Sequence, residues 1–227
     1  MNRTRSFVAT AAAIILAVFL PANAALARGG VATGQQSVEW WQWVLSIPPS
    51  VNPLLDTTGD QCMVGQHGTT FFLAGSWVSG PVTRDCDIPQ TATLFFPVIN
   101  EINFDTPDQC GQGAALPSSF YRSLSKAYVD GAANMSVTLD GQPVGPLRRM
   151  VSPVFEIALP DDNIFVGACT PDLTGGIYSP AVDDGYYVQL KPLAVGAHTL
   201  VIHAEQPSAG AVLDITYNLN VVPVATH

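Results

Sequence analysis

From residue 213 to 221 every second side chain is apolar. Leu213, Ile215, Tyr217, Leu219 and Val221 alternate with Asp214, Thr216, Asn218 and Asn220. A period of two puts each set on its own side of an extended chain, so this run predicts a half-buried β-strand. Shorter alternations precede it. Tyr186, Val188 and Leu190 interleave with Tyr187, Gln189 and Lys191, and Leu200 and Ile202 with Thr199, Val201 and His203. Pro192 and Gly196, then Pro207 and Gly210, mark the turns between them. The stretch 185–222 therefore reads as three strands of an antiparallel sheet with one wet face, which needs a second layer on the dry one.

Further strands are expected over 69–77, 93–99, 135–139, 154–159 and 164–168. The continuous run Leu94-Phe95-Phe96 predicts burial on both faces, and Pro97 marks a bend or a sheet edge. Asp140-Gly141 is a hairpin signal. The segment 100–116 is polar, carries Pro107, Gly111 and Gly113, and reads as a long loop pinned by Cys110. Gly175-Gly176 and Asp183-Asp184-Gly185 flank an expected loop before the closing strands, and the two acids are read as part of it. Eight to ten short strands with frequent turns predict a mainly β fold, a two-sheet antiparallel β-sandwich of immunoglobulin-like or jelly-roll-like type.

Two short helices complete the pattern. The first is expected to start at Ser37 as N-cap, run through Trp40, Trp41, Trp43, Val44 and Leu45, and stop before Pro48. Glu39, Gln42 and Ser46 make its one narrow wet stripe, so the rest should be covered. The second is expected over 120–129, capped by Ser118 or Ser119 and stopped by Gly131, with Phe120, Leu124, Ala127 and Tyr128 on one face. Both are expected to cover an end or an edge of the sandwich.

The amino-terminal segment has a different character. Arg3 and Arg5 precede an apolar run over 7–20, followed by Ala22-Asn23-Ala24 and Ala25-Leu26-Ala27. That is the order of a secretory signal peptide over 1–27, with cleavage after Ala27 favoured and after Ala24 the alternative, and with the mature domain over 28–227. The run is too short for a comfortable membrane span, and no later run approaches 18 apolar residues. A secreted or periplasmic protein is expected. Of the nine Lys and Arg residues two fall in the leader, leaving seven against 18 Asp and Glu. Such an acidic chain argues against nucleic acid and anionic membrane surfaces as partners. Four cysteines, Cys62, Cys86, Cys110 and Cys169, are an even number without the close C-x-x-C spacing of zinc sites. In an exported chain they predict two disulfides. Three pairings are open; Cys62–Cys86 with Cys110–Cys169 is favoured because the first pair brackets one hairpin.

Candidate chemistry is sparse. There is no G-x-S-x-G elbow and no H-E-x-x-H pair. Trp40, Trp41 and Trp43 are the candidate ligand-binding residues, since aromatic faces suit sugar rings, with burial in the core as the competing reading. Asp161 and Asp162, with Asn163, and Asp183 with Asp184 are the candidate metal ligands, because calcium takes oxygen ligands from acidic loops. No other cofactor is implied. His203 and Glu205 are expected as an outward pair. Asp56, Glu101, Asp105 and Glu156 form the carboxylate pool of a hydrolase reading.

Several blocks together resemble a group of uncharacterised secreted bacterial proteins. They are Trp40-Trp41-Gln42-Trp43, Asn52-Pro53-Leu54-Leu55-Asp56, Cys62, Phe72-Leu73-Ala74-Gly75, Cys86, the run Leu94 to Asn100, Asp184-Gly185-Tyr186-Tyr187, and Gly196 with His198-Thr199. The resemblance implies a common exported fold and assigns no activity to any residue. The function expected is that of a non-catalytic binding protein for a glycan or another envelope component. The alternatives are a hydrolase using loop carboxylates and a structural assembly subunit. If the leader reading holds, the protein recovered from an exporting host begins at Arg28. Intact mass checks this, and a product retaining residues 1–27 would contradict it.

Overall fold

The computed structural model describes residues 33–224. The signal-peptide reading of 1–27 lies outside the described residues. Ten strands and two helices follow one another as α1 (Gly34–Leu45), β1 (Thr70–Phe72), β2 (Val82–Pro89), β3 (Thr93–Phe104), α2 (Ser118–Asp130), β4 (Ala133–Leu139), β5 (Gln142–Pro143), β6 (Arg148–Val151), β7 (Phe155–Leu159), β8 (Gly176–Leu190), β9 (Gly196–Gln206) and β10 (Ala211–Val222). They form two five-stranded sheets. One has the order β1-β3-β8-β6 with β7 also on β8; the other runs β2-β10-β9-β4-β5. The chain is a two-sheet β-sandwich, as the alternation predicts.

The sheets meet through Leu94, Phe96, Val188 and Leu190 on one side and Ile88, Leu200, Ile202, Ile215, Tyr217 and Leu219 on the other. A second core lies on the opposite face of the first sheet. There α1 sets its tryptophans against Phe95, Tyr187, Phe155 and Ile157. The first sheet is thus covered on both faces, which is why 94–96 is continuously apolar. α1 covers a sheet face rather than an edge. α2 fills the place beside β3 and β8 that the second sheet leaves open.

Several expectations are corrected by this arrangement. β8 belongs to the first sheet and β9 and β10 to the second, so 185–222 crosses between layers instead of forming one sheet. Asp183-Asp184-Gly185 lies inside the 15-residue strand β8, not in a loop. β3 continues to Phe104, five residues into the expected loop. The register of β3 against β8 shifts between Pro97 and Ile99, so Pro97 sits at a bulge, as a proline in a strand should. The expected strand over 69–77 shrinks to Thr70–Phe72, and 164–168 is turn. β2, which the sequence reading passes over, runs parallel to β10. Ser37 is not the cap of α1. Its hydroxyl is buried and donates to Gly34 O at 2.9 Å, while Thr33 N–H donates to Gln36 Oε1 at 2.9 Å across the first turn. In α2 the buried residues are Tyr121, Ser125 and Val129, and Phe120 and Leu124 are exposed at 44% and 43%. Polar anchors set that rotation: Tyr121 O–H donates to Asp105 at 2.6 Å and Asn103 Nδ2 donates to Ser125 Oγ at 3.0 Å.

Both disulfides, Cys62–Cys86 and Cys110–Cys169, have the favoured pairing. They close sequence separations of 24 and 59 residues. Chain-entropy arguments give about 3.4 and about 4.2 kcal/mol for loops of these lengths. Replacing Cys110 and Cys169 together by Ala should therefore lower unfolding stability at least as much as replacing Cys62 and Cys86. Denaturant melts compare the two, and a larger loss from the shorter loop would contradict the ordering.

Candidate functional site at an open sheet edge

β1 covers only the first residues of β3. Phe71 and Phe72 pair with Leu94 and Phe95, and Leu73 N–H still reaches Phe95 O at 3.0 Å. The chain then swings away over 74–77. From Pro97 onward β3 is an edge strand among the described residues, and a cleft of roughly 500 Å³ opens along it. Its floor is the β3 segment from Pro97 to Ile102. Trp40, Trp41 and Leu54 line it from the α1 side, and Tyr128, Ala211 and Leu213 from the side of α2 and the second sheet. Trp77 and Phe165 stand over it with ring centroids 5.5 Å apart, and Phe104 packs on Phe165, also at 5.5 Å. Trp77 is 44% exposed, so its ring is open to a ligand.

A buried cation fixes the wall. Arg84, 1% exposed, reaches inward from β2 and donates to Asp56 O at 2.8 Å, Ala74 O at 3.1 Å and Gly75 O at 2.9 Å. It also donates to the Tyr217 hydroxyl, which passes a bond of its own to Ala74 O at 2.7 Å. These contacts hold the two segments that carry Leu54 and Trp77.

Among the described residues Glu101 is the one carboxylate lining the cleft. Burial pushes its carboxyl up to about 7, and Asn103 Nδ2 at 3.5 Å pulls weakly the other way. Among the described residues no Lys, Arg or His forms an ion pair with it. The rest of the carboxylate pool lies elsewhere. Asp105 is buried under Tyr121 and Gln112; burial alone would raise its carboxyl, but these donors and Leu116 N–H hold it below the usual range. Asp56 accepts backbone N–H bonds from Thr58, Gly59 and Gln61, and Glu156 is exposed on β7.

The three tryptophans offer no exposed stacking platform. All are buried, and each indole N–H is spent internally: Trp40 on Leu73 O at 3.0 Å, Trp41 on Asp183 Oδ1 at 2.7 Å, Trp43 on Val64 O at 2.9 Å. Helix α1 is anchored by three such bonds, and two of its rings reach the cleft from behind. The acidic pairs are not brought together either. Asp183 and Asp184 are neighbours on a strand and so point to opposite faces. Asp183 faces α1, accepting from Trp41 and from Tyr187 O–H at 2.8 Å, with Oδ2 buried and without a hydrogen-bond partner among the described residues. Burial pushes it up to about 7. Asp184 faces α2 and takes Arg149 Nε and Nη2, each at 2.8 Å. Asp161 and Asp162 lie in the exposed turn after β7, seven strand residues beyond Gly176 from Asp183, a span of roughly 20 Å. Among the described residues no three His, Cys, Asp or Glu side chains are grouped to hold a metal ion. His203 does form an outward pair with Glu205, through Nε2 at 3.4 Å; Asp214 takes the other ring nitrogen, Nδ1, at 2.7 Å, so the two carboxylates flank the ring and do not converge on one point.

Sequence reasoning missed Trp77, Phe104 and Phe165. The only signal for Trp77 was a large aromatic beside the Gly80-Pro81 turn. Comparison of the chain with protein-family models, curated proteins and solved structures finds no significant match.

Between about pH 4 and about pH 7, Glu101 and Asp183 hold protons in the native state that the unfolded chain releases. Their native pKa values lie above the ordinary range, so the stability they contribute is present at low pH and lost as pH rises from about 4 to about 7. The melting temperature should fall by several degrees between pH 5 and pH 8. Glu101→Gln and Asp183→Asn should each flatten that fall; an unchanged slope in both would contradict the assignment.

Proposed function

We propose that this is a non-catalytic extracytoplasmic binding protein whose ligand, a glycan or another envelope component, lies in the cleft beside β3. The observation that carries the reading is the exposed ring of Trp77 paired with Phe165 over a pocket containing a single carboxyl. An aromatic wall with a few placed polar groups is the usual form of a small-ligand site. Two disulfides suit an oxidising compartment. No described helix is long and apolar enough to cross a membrane.

The hydrolase alternative needs a second carboxyl within a few ångströms of the first. Asp56, Asp105 and Glu156 do not line the cleft with Glu101, so the geometry favours binding over hydrolysis.

Intrinsic tryptophan fluorescence, titrated with soluble oligosaccharides and cell-wall fragments, tests the reading. At least one fragment should shift the emission, and Trp77→Ala should weaken its binding about tenfold, the value of one well-packed aromatic contact. No shift with any fragment, or equal binding by the variant, would overturn it.

A further inference from the structure

The floor of the cleft is made of main chain. Residues of an edge strand alternate, one turning its N–H and C=O to the neighbouring strand and the next turning them outward. On β3, Asp105 N–H donates to Pro180 O on the β8 side at 3.0 Å. Glu101 and Asn103 share its parity and its partner strand. Asn100, Ile102 and Phe104 therefore aim their N–H and C=O groups away from β8. Earlier in β3 the outward side is occupied: Thr93 N–H donates to Thr69 O at 2.9 Å, and Phe95 O accepts from Leu73 N–H. Past Pro97, which has no N–H, the bulge resets the alternation, and no described strand continues that pairing.

Such an edge is a template for another strand. Here it is recessed. Trp41 borders it on one side, Leu213 and Tyr128 on the other, and Trp77 with Phe165 above. A single extended chain is the simplest occupant that pairs with an edge lined in this way. From Asn100 to Phe104 the free edge measures roughly 14 Å, the length of about five strand residues. Glu101 supplies the charge. It stands on this floor without a cationic partner among the described residues, in a chain of net charge −9. An occupant bearing a cation beside it would replace the water the carboxylate loses.

We propose that the cleft takes an extended peptide of about five residues, paired main chain to main chain with Asn100, Ile102 and Phe104 and presenting a Lys or Arg to Glu101. This rests on the cleft being the ligand site. The peptide's alternate side chains would meet Trp77 and Phe165 on one side and Leu213 on the other.

The test uses the exported chain and three pools of end-capped pentapeptides at pH 8. One has a central Lys between mixed Val, Thr, Leu and Ser; one has Glu in its place; one is the Lys pool N-methylated at alternate residues. Calorimetry should give binding of the Lys pool at least tenfold tighter than of the Glu pool, and none for the methylated pool. Glu101→Gln should narrow the Lys-to-Glu preference several-fold. No binding of the Lys pool, or equal binding of the methylated one, would overturn the proposal. The pools themselves carry the test if the variant fails to fold. Trp77-dependent binding of an oligosaccharide with all peptide pools inert would sink the peptide class and leave the cleft reading standing. Inertness toward both would remove both.

Discussion

A charged guanidinium with no ion-pair partner among the described residues is buried on the inward face of β2. Arg84 is stabilised by main-chain carbonyls and by the ring of Tyr217, whose centroid lies 5.4 Å from the guanidinium carbon. Transfer of an unpaired cation from water is costly, and carbonyl dipoles offset that cost only when they are held in place. The dependence is mutual. The carbonyls of Asp56, Ala74 and Gly75 come from two irregular segments with no strand partners at those residues, and Arg84 is what gathers them. Asn52 fixes the other end of the first segment by donating to Val44 O and Ile47 O at the end of α1, both at 2.8 Å. The aromatic wall of the cleft hangs on these contacts.

β8 does the corresponding work for the helices. Its consecutive acids divide the labour by strand geometry alone: Asp183 takes the indole of α1, and Asp184 takes Arg149, which also reaches Asp130 at the end of α2 at 2.6 Å. A pair of acids that looks like a cation site in one dimension is, in three, a tie to each flanking layer. Asp105 repeats the device with Tyr121. The buried carboxylates of this protein are thus mostly structural, and Glu101, which carries no such tie to a helix, is set apart by that contrast.

What was legible in the sequence followed from repetition. The alternation of 213–221, the wet stripe Glu39, Gln42 and Ser46 on α1, the Asp140-Gly141 turn and the even cysteine count each repeat or punctuate a simple pattern, and the structure carries them. What was hidden broke a pattern for a tertiary reason. In β2 the inward set is Val82, Arg84, Cys86 and Ile88, and the arginine disguises a regular buried face. In β8, Asp183 and Asp184 look like loop residues because their partners lie far away in the chain. In α2 the apolar face predicted burial of Phe120 and Leu124, but Tyr121 O–H donating to Asp105 and Ser125 Oγ accepting from Asn103 at the end of β3 turn the helix another way. The cleft was invisible because its floor is backbone, which has no signature in side-chain pattern.

Amide hydrogen exchange along β3 tests that floor most directly. An open edge requires the N–H groups of Asn100, Ile102 and Phe104 to exchange much faster than those of Glu101, Asn103 and Asp105, which are committed to β8. That alternation, residue by residue, is the expected result. Uniform protection from Asn100 to Asp105 would mean that another part of the chain already covers the edge, and the cleft would not be a binding site.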